Sequence, residues 1–126
     1  MKSREEHHPF AVSLQQEAAE GVFGAGASSP YLLRWHPVAD AHRGELQGVV
    51  TPDGRARWHG AAADREPQFH ALLGAYGKLT GRLPALLNTS LNVPGRPPAT
   101  TAREAIELFA GSGLDALMIG PFLLTK

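Results

Sequence analysis

The sequence predicts an α/β fold: one domain over residues 1–126, with a mixed, twisted sheet and flanking helices. Three observations predict it. Two stretches, 66–81 and 100–111, carry apolar residues at helical spacing; short apolar runs of strand length lie around them; and glycine or proline punctuates the junctions. A chain of 126 residues can build its own core without disulfide or metal staples.

The elements follow in order. A short helix is expected at 13–22, then a loop where "GVFGAGASSP" collects glycine and serine. "YLLRW", bounded by Pro30 and Pro37, predicts a strand. "VADAHRGE" is polar and expected at the surface. The runs "LQGVVT" and "RARWHG" flank "PDG", which predicts a hairpin whose tight turn uses the backbone freedom of Gly54. In its second arm Arg55 and Arg57 share one face, and Ala56 and Trp58 the other. In "EPQFHALLGAYGKLTG", Phe69, Leu72, Leu73, Tyr76 and Leu79 form a helical stripe; Pro67 suits the first turn and Gly81 the stop. "LPALLN" then predicts an interior strand. In "TTAREAIELFAGSG", Thr100 or Thr101 caps a second helix, Glu104 stands at capping-box distance from Thr101, and Ala105, Ile106, Leu108 and Phe109 supply the apolar side, with Gly111 or Gly113 as the end. "DALMIG" and "FLLT", split by Gly120 and Pro121, predict a buried strand and a closing strand or turn.

Charge and composition narrow the function. Lys plus Arg and Asp plus Glu both number 12, so there is no broad positive field and nucleic acid is not an expected partner. The absence of cysteine removes disulfides, thiolate metal sites and thiol nucleophiles, and fits a cytoplasmic location. No apolar run reaches the roughly 18 residues of a membrane span, and "MKSREEHHPF" lacks the apolar core of a signal peptide. Of six histidines, His7 and His8 are adjacent and the others are scattered, so no metal site is expected. Ser90 lacks the G-x-S-x-G elbow of a serine nucleophile, and no G-x-x-x-x-G-K-[ST] phosphate loop is present.

Candidate site residues remain in three places. In "LPALLNTSLNVPGRPP", Asn88, Ser90 and Asn92 alternate at a strand exit, where an extended backbone would point all three to one side and toward phosphate or carbonyl oxygens. The same residues are ordinary turn formers, and that reading stays open. Arg57 has the guanidinium fork suited to a phosphate, with an exposed strand face as the alternative. The amino terminus offers Lys2, Arg4, His7 and His8, by default a flexible charged tail. Phe69, Tyr76 and Phe109 read as core aromatics on helical faces.

Taken together, "KSREEHHPFAVS", "SPYLL", "VVTPDGRARW", "FHALLGAYGKLTGRLPALLNTSLNVPGRPPATTAREAIELF" and "GLDALMIGPFLLTK" resemble the carboxyl-terminal, YrdC-like domain of the O-carbamoyltransferases of the NodU and CmcH type. The resemblance runs over nearly the whole chain. It implies an enzyme component of secondary-metabolite or antibiotic tailoring that uses ATP, with magnesium, and carbamoyl phosphate to form a carbamoyl-adenylate. A kinase-like partner domain, either separately encoded or part of a longer enzyme of which this chain is one piece, would pass the carbamoyl group to a small-molecule acceptor. Self-association into a homo-oligomer is compatible with it. By matching positions, Lys2 and Arg4 correspond to the family's basic amino-terminal motif, Arg57 to its nucleotide-phosphate arginine, and Ser90, with Asn88 and Asn92, to its ligand loop; His8, Arg57 and Ser90 are then the catalytic candidates. Three positions depart from the pattern. His8 replaces an arginine, Val12 a proline and Thr51 a histidine, and a neutral imidazole at residue 8 lacks the permanent bidentate fork of arginine. Two other readings accompany this one: a stand-alone domain catalysing a different step in the retained cleft, with His8 as acid or base, and a non-catalytic binding subunit.

Overall fold

A computed structural model describes residues 9–126. Lys2, Arg4 and His8 lie outside the described residues. The contacts gather into two compact units, within Glu5–Thr89 and Ser90–Lys126. Both mix helix and strand, as the sequence predicts.

In the first unit a four-stranded sheet has the order β2-β3-β1-β4, built from β1 (Ala11–Gln15), β2 (Trp35–Pro37), β3 (Arg55–Ala61) and β4 (Ala85–Asn88). β1 runs parallel to β3, pairing Val12 with Trp58 and Ser13 with His59, and antiparallel to β4, pairing Ala11 with Asn88. β2 is antiparallel to β3, with Trp35 opposite Arg57. One sheet face carries Val12, Leu14, Ala56 and Trp58. It packs against Ala19, Val22 and Phe23 of α1 (Ala19–Phe23), and against Val38, Leu46 and Val49 around α2 (Asp40–Arg43). Trp58 is fully buried, stacked on Phe23 with ring centres 4.7 Å apart and edge-on to His36 at 5.7 Å. The other face carries Ser13, Gln15 and His59 and is met by α3 (Pro67–Thr80), whose Leu73 is fully buried.

Several expectations are corrected by this pairing. Residues 13–15 are strand, and α1 begins only at Ala19 after a 3-10 turn, because Val12 and Leu14 bury at period two between β3 and β4. No strand forms over 31–34. Leu32 has φ of 58°, a left-handed conformation no strand accepts, and Tyr31 and Leu33 are exposed; β2 starts at Trp35. The predicted turn is present: Gly54 has φ of 78°, its N–H donates to the Thr51 carbonyl, and the Thr51 N–H donates to the Arg55 carbonyl. Its expected first arm is not a strand. Leu46 and Val49 bury three residues apart in helical turns, with the Val50 N–H donating to the Leu46 carbonyl, while β1 and β2 fill both sides of β3. "VADAHRGE" contains α2 and the buried Val38. β4 is an edge strand with Leu87 52% exposed, where an interior strand was expected, since β1 and β3 occupy the centre.

α3 starts at Pro67 and ends on Gly81 at φ 65°, as its sequence predicts, but its stripe is only partly covered: Leu72 and Leu79 are exposed, and Phe69 and Tyr76 half-buried. No helix among the described residues is long and apolar enough to cross a membrane.

The second unit contains α4 (Ala102–Ala110), β5 (Ala116–Ile119) and β6 (Phe122–Thr125), the last two an antiparallel pair. Thr101 caps α4 in a full capping box, accepting from the Glu104 N–H at 3.2 Å while the Glu104 carboxylate accepts from the Thr101 N–H at 3.0 Å. Phe109 is buried as expected. β5 is half exposed, with Met118 57% accessible, because its ladder partner is β6 alone; the buried strand expected there is corrected.

Thr101→Ala is expected to cost about 1 kcal/mol, the usual value of an N-cap, read as a lowered urea midpoint. The amide of Thr100, its hydroxyl, and the amide of Thr101 hold the Glu104 carboxyl below its ordinary pKa. A depressed folded-state pKa means that this stabilisation is present above the unfolded value and is lost as pH falls through the folded one. Thermal melting followed into acid should therefore fall more steeply for the native chain than for Glu104→Gln.

Candidate functional site

The alternation along β3 puts Ala56 and Trp58 fully inside and turns Arg55, Arg57 and His59 to the opposite face. Arg57 sits beside Trp35 of β2, its guanidinium carbon 5.1 Å from the indole centre. Its Nε is buried and has no hydrogen-bond partner among the described residues. Arg55 is engaged, donating to the Trp35 carbonyl at 3.1 Å.

Register places Asn88 on the same face. Asn88 lies opposite Ala11, and the parallel pairing of Val12 with Trp58, extended by one residue, sets Arg57 across from Ala11 on the other side. Arg57 and Asn88 thus flank the start of β1, two strand spacings or roughly 10 Å apart. The expected location at strand carboxyl ends holds only for β4. Arg57 and Ala11 lie toward the amino ends of β3 and β1, because β4 runs against them.

Asn88 is tied to a partly buried polar chain that sequence reasoning missed. Its amide nitrogen donates to the Ser13 hydroxyl at 2.8 Å; Ser13 Oγ is 3.4 Å from His59 Nδ1; and His59 Nε2 is 2.9 Å from Glu66 Oε2. The Phe69 ring lies against the imidazole, 6.2 Å between centres. The signal for His59 was present, since the period-two face holding Arg55 and Arg57 continues to it. Nothing local marked Ser13 or Glu66. A second pair lies further along this face: His70 Nε2 is 2.6 Å from Glu17 Oε1, and hydrogen bonding to its own backbone, with the nearby imidazole, lowers the Glu17 pKa.

In the second unit the extended alternation does not continue beyond β4. Ser90 donates to Asn92 Oδ1 at 2.8 Å, and the Asn92 amide donates to the Arg96 carbonyl at 2.6 Å, the pattern of a polar turn. Ser90 and Asn92 therefore meet each other, while Arg57 and Asn88 belong to the first unit. Thr51, one of the departures, has turn work of its own: its hydroxyl has the Asp53 carboxylate and the Arg55 carbonyl within reach of its single proton and accepts from the Arg55 N–H at 3.1 Å. Val12, another, is a core residue of β1.

Fold and site define a mixed α/β module that sets an underused guanidinium and a carboxamide on one sheet face. The chain belongs to the carbamoyltransferase C-terminus family, which matches residues 1–126. It is 33% identical over 129 aligned residues to nodulation protein NolO of Bradyrhizobium diazoefficiens and 32% to nodulation protein NolNO of Sinorhizobium fredii, with the whole chain covered in each. Against nodulation protein U of Azorhizobium caulinodans it is 34% identical over 95 residues, 75% of the chain. The chain spans 23%, 19% and 17% of these three relatives, so it corresponds to a limited part of each.

Proposed function

We propose that this chain is a carbamoyl-transfer component that binds ATP and carbamoyl phosphate and supports formation of a carbamoyl-adenylate, which a kinase-like partner domain delivers to a small-molecule acceptor in secondary metabolism. The observation that carries the reading is Arg57: a permanently charged side chain whose buried Nε has no partner among the described residues. A buried unpaired donor is costly in the free protein and is satisfied by an anionic oxygen. Asn88 on the same face would add a neutral donor and acceptor. Water cleaves carbamoyl phosphate to carbamate and inorganic phosphate, and a carbamate oxygen then bonds to the α-phosphorus of ATP as the bond to pyrophosphate breaks, so negative charge develops on oxygens that such donors stabilise.

Arg57 fits the phosphates of ATP in charge and donor geometry. Among the described residues no group of three His, Asp or Glu could hold a metal ion, so the magnesium that accompanies ATP would be carried chiefly by nucleotide oxygens and water.

Calorimetric titration with ATP and with carbamoyl phosphate tests the reading. Both should bind, each with a measurable heat of titration. No heat with millimolar ATP overturns it.

A further inference from the structure

We propose that Asn88 selects the carbamoyl group, and that Ser13, His59 and Glu66 are positioning residues that hold its carboxamide with the carbonyl oxygen facing the ligand. This rests on the function proposed above.

With a neutral His59 imidazole, the polarity of the chain of hydrogen bonds follows from its ends. Glu66 is an acceptor when ionised, so the His59 Nε2 that lies 2.9 Å from it carries a proton. A neutral imidazole then has a lone pair at Nδ1, and the Ser13 hydroxyl 3.4 Å away gives its only proton there. Ser13 Oγ is left as an acceptor toward Asn88, which must present Nδ2, the contact seen at 2.8 Å. Every proton in the chain is accounted for by one tautomer and one amide orientation. With the opposite orientation, Ser13 would donate to Asn88 and accept from Nδ1–H, which needs a charged imidazole to keep the bond to Glu66.

Ser13 is 2% exposed, so the arrangement is no serine nucleophile despite its composition. Its output is the orientation of Asn88. The Asn88 Oδ1 has no hydrogen-bond partner among the described residues and faces the side of the sheet that bears Arg57. An acceptor there pairs with the –NH2 of a carbamoyl group. Acetyl phosphate, with methyl in place of that –NH2, leaves the acceptor unpaired and is disfavoured.

The test compares binding of carbamoyl phosphate and acetyl phosphate by calorimetry, together with the His59 tautomer read from imidazole nitrogen shifts in the unliganded protein at neutral pH. The native chain should prefer carbamoyl phosphate about ten-fold. Asn88→Ala should bring the ratio to about one, Glu66→Gln should lower it because an amide no longer dictates polarity, and His59→Gln should retain part of it by accepting from Ser13 while donating to Glu66. The tautomer should be Nε2–H. Equal binding of the two phosphates, a ratio that Glu66→Gln leaves unchanged, or an Nδ1–H tautomer overturns the inference and leaves the carbamoyl-transfer reading standing. Failure to bind ATP overturns that reading, while the tautomer still decides the orienting chain.

Discussion

Arg57→Ala should weaken ATP binding by about ten- to a hundred-fold, because a hydrogen bond to a charged partner is worth about 1.5–3 kcal/mol. The buried Nε has no protein partner among the described residues, so the substitution takes from the complex an interaction that the free protein does not use elsewhere. Arg57→Lys should recover only part of the loss, since an ammonium restores the charge without the planar fork. Calorimetry with ATP measures both variants. Unfolding in urea supplies the control: Arg57 contributes to the fold mainly through its contact with Trp35, a partly exposed cation–π pair worth about 0.5–1 kcal/mol. A large drop in affinity with a small shift in midpoint is the expected result. An unchanged affinity would remove the guanidinium from the site.

The second large effect is on stability. Trp58→Ala should destabilise the chain by about 3–5 kcal/mol, the range for removing a buried large aromatic. The indole lies at the centre of the first unit, in face contact with Phe23 and edge contact with His36, so few neighbours can collapse into the space. Such a loss is a large fraction of the usual 5–15 kcal/mol of a domain. Trp58→Phe should cost far less. It keeps the stacking ring and removes a buried indole N–H that has no acceptor among the described residues. Denaturant unfolding followed by circular dichroism distinguishes the pair.

What could be read in the sequence was what is encoded locally. The cap of α4 needs only Thr101 and Glu104, three residues apart, and the end of α3 needs only a glycine that accepts a left-handed backbone. The two faces of β3 follow from its own alternation. β1 was missed because its strand character comes from partners far along the chain: Ser13 meets His59 46 residues on and Asn88 75 residues on. The hairpin misled for a related reason. Its turn is genuine, but the places beside β3 are taken by β1 and β2, leaving Leu46 and Val49 to bury in helical turns. At the site, residue types at Arg57 and Asn88 were legible. Their shared face needed the register of three strands, and the chain that orients Asn88 joins three strands to the residue preceding a helix.

The position of β1 between β3 and β4 has a consequence for biosynthesis. β1 precedes both of its neighbours along the chain and is translated before them, the second ending at Asn88. Until then Val12 and Leu14 have no sheet to join, and a nascent or prematurely terminated chain ending before β3 would offer them to any passing apolar surface. Fragments cut short of residue 55 should accordingly be recovered as aggregates, whereas those extending through Asn88 can complete the ladder around their oldest strand.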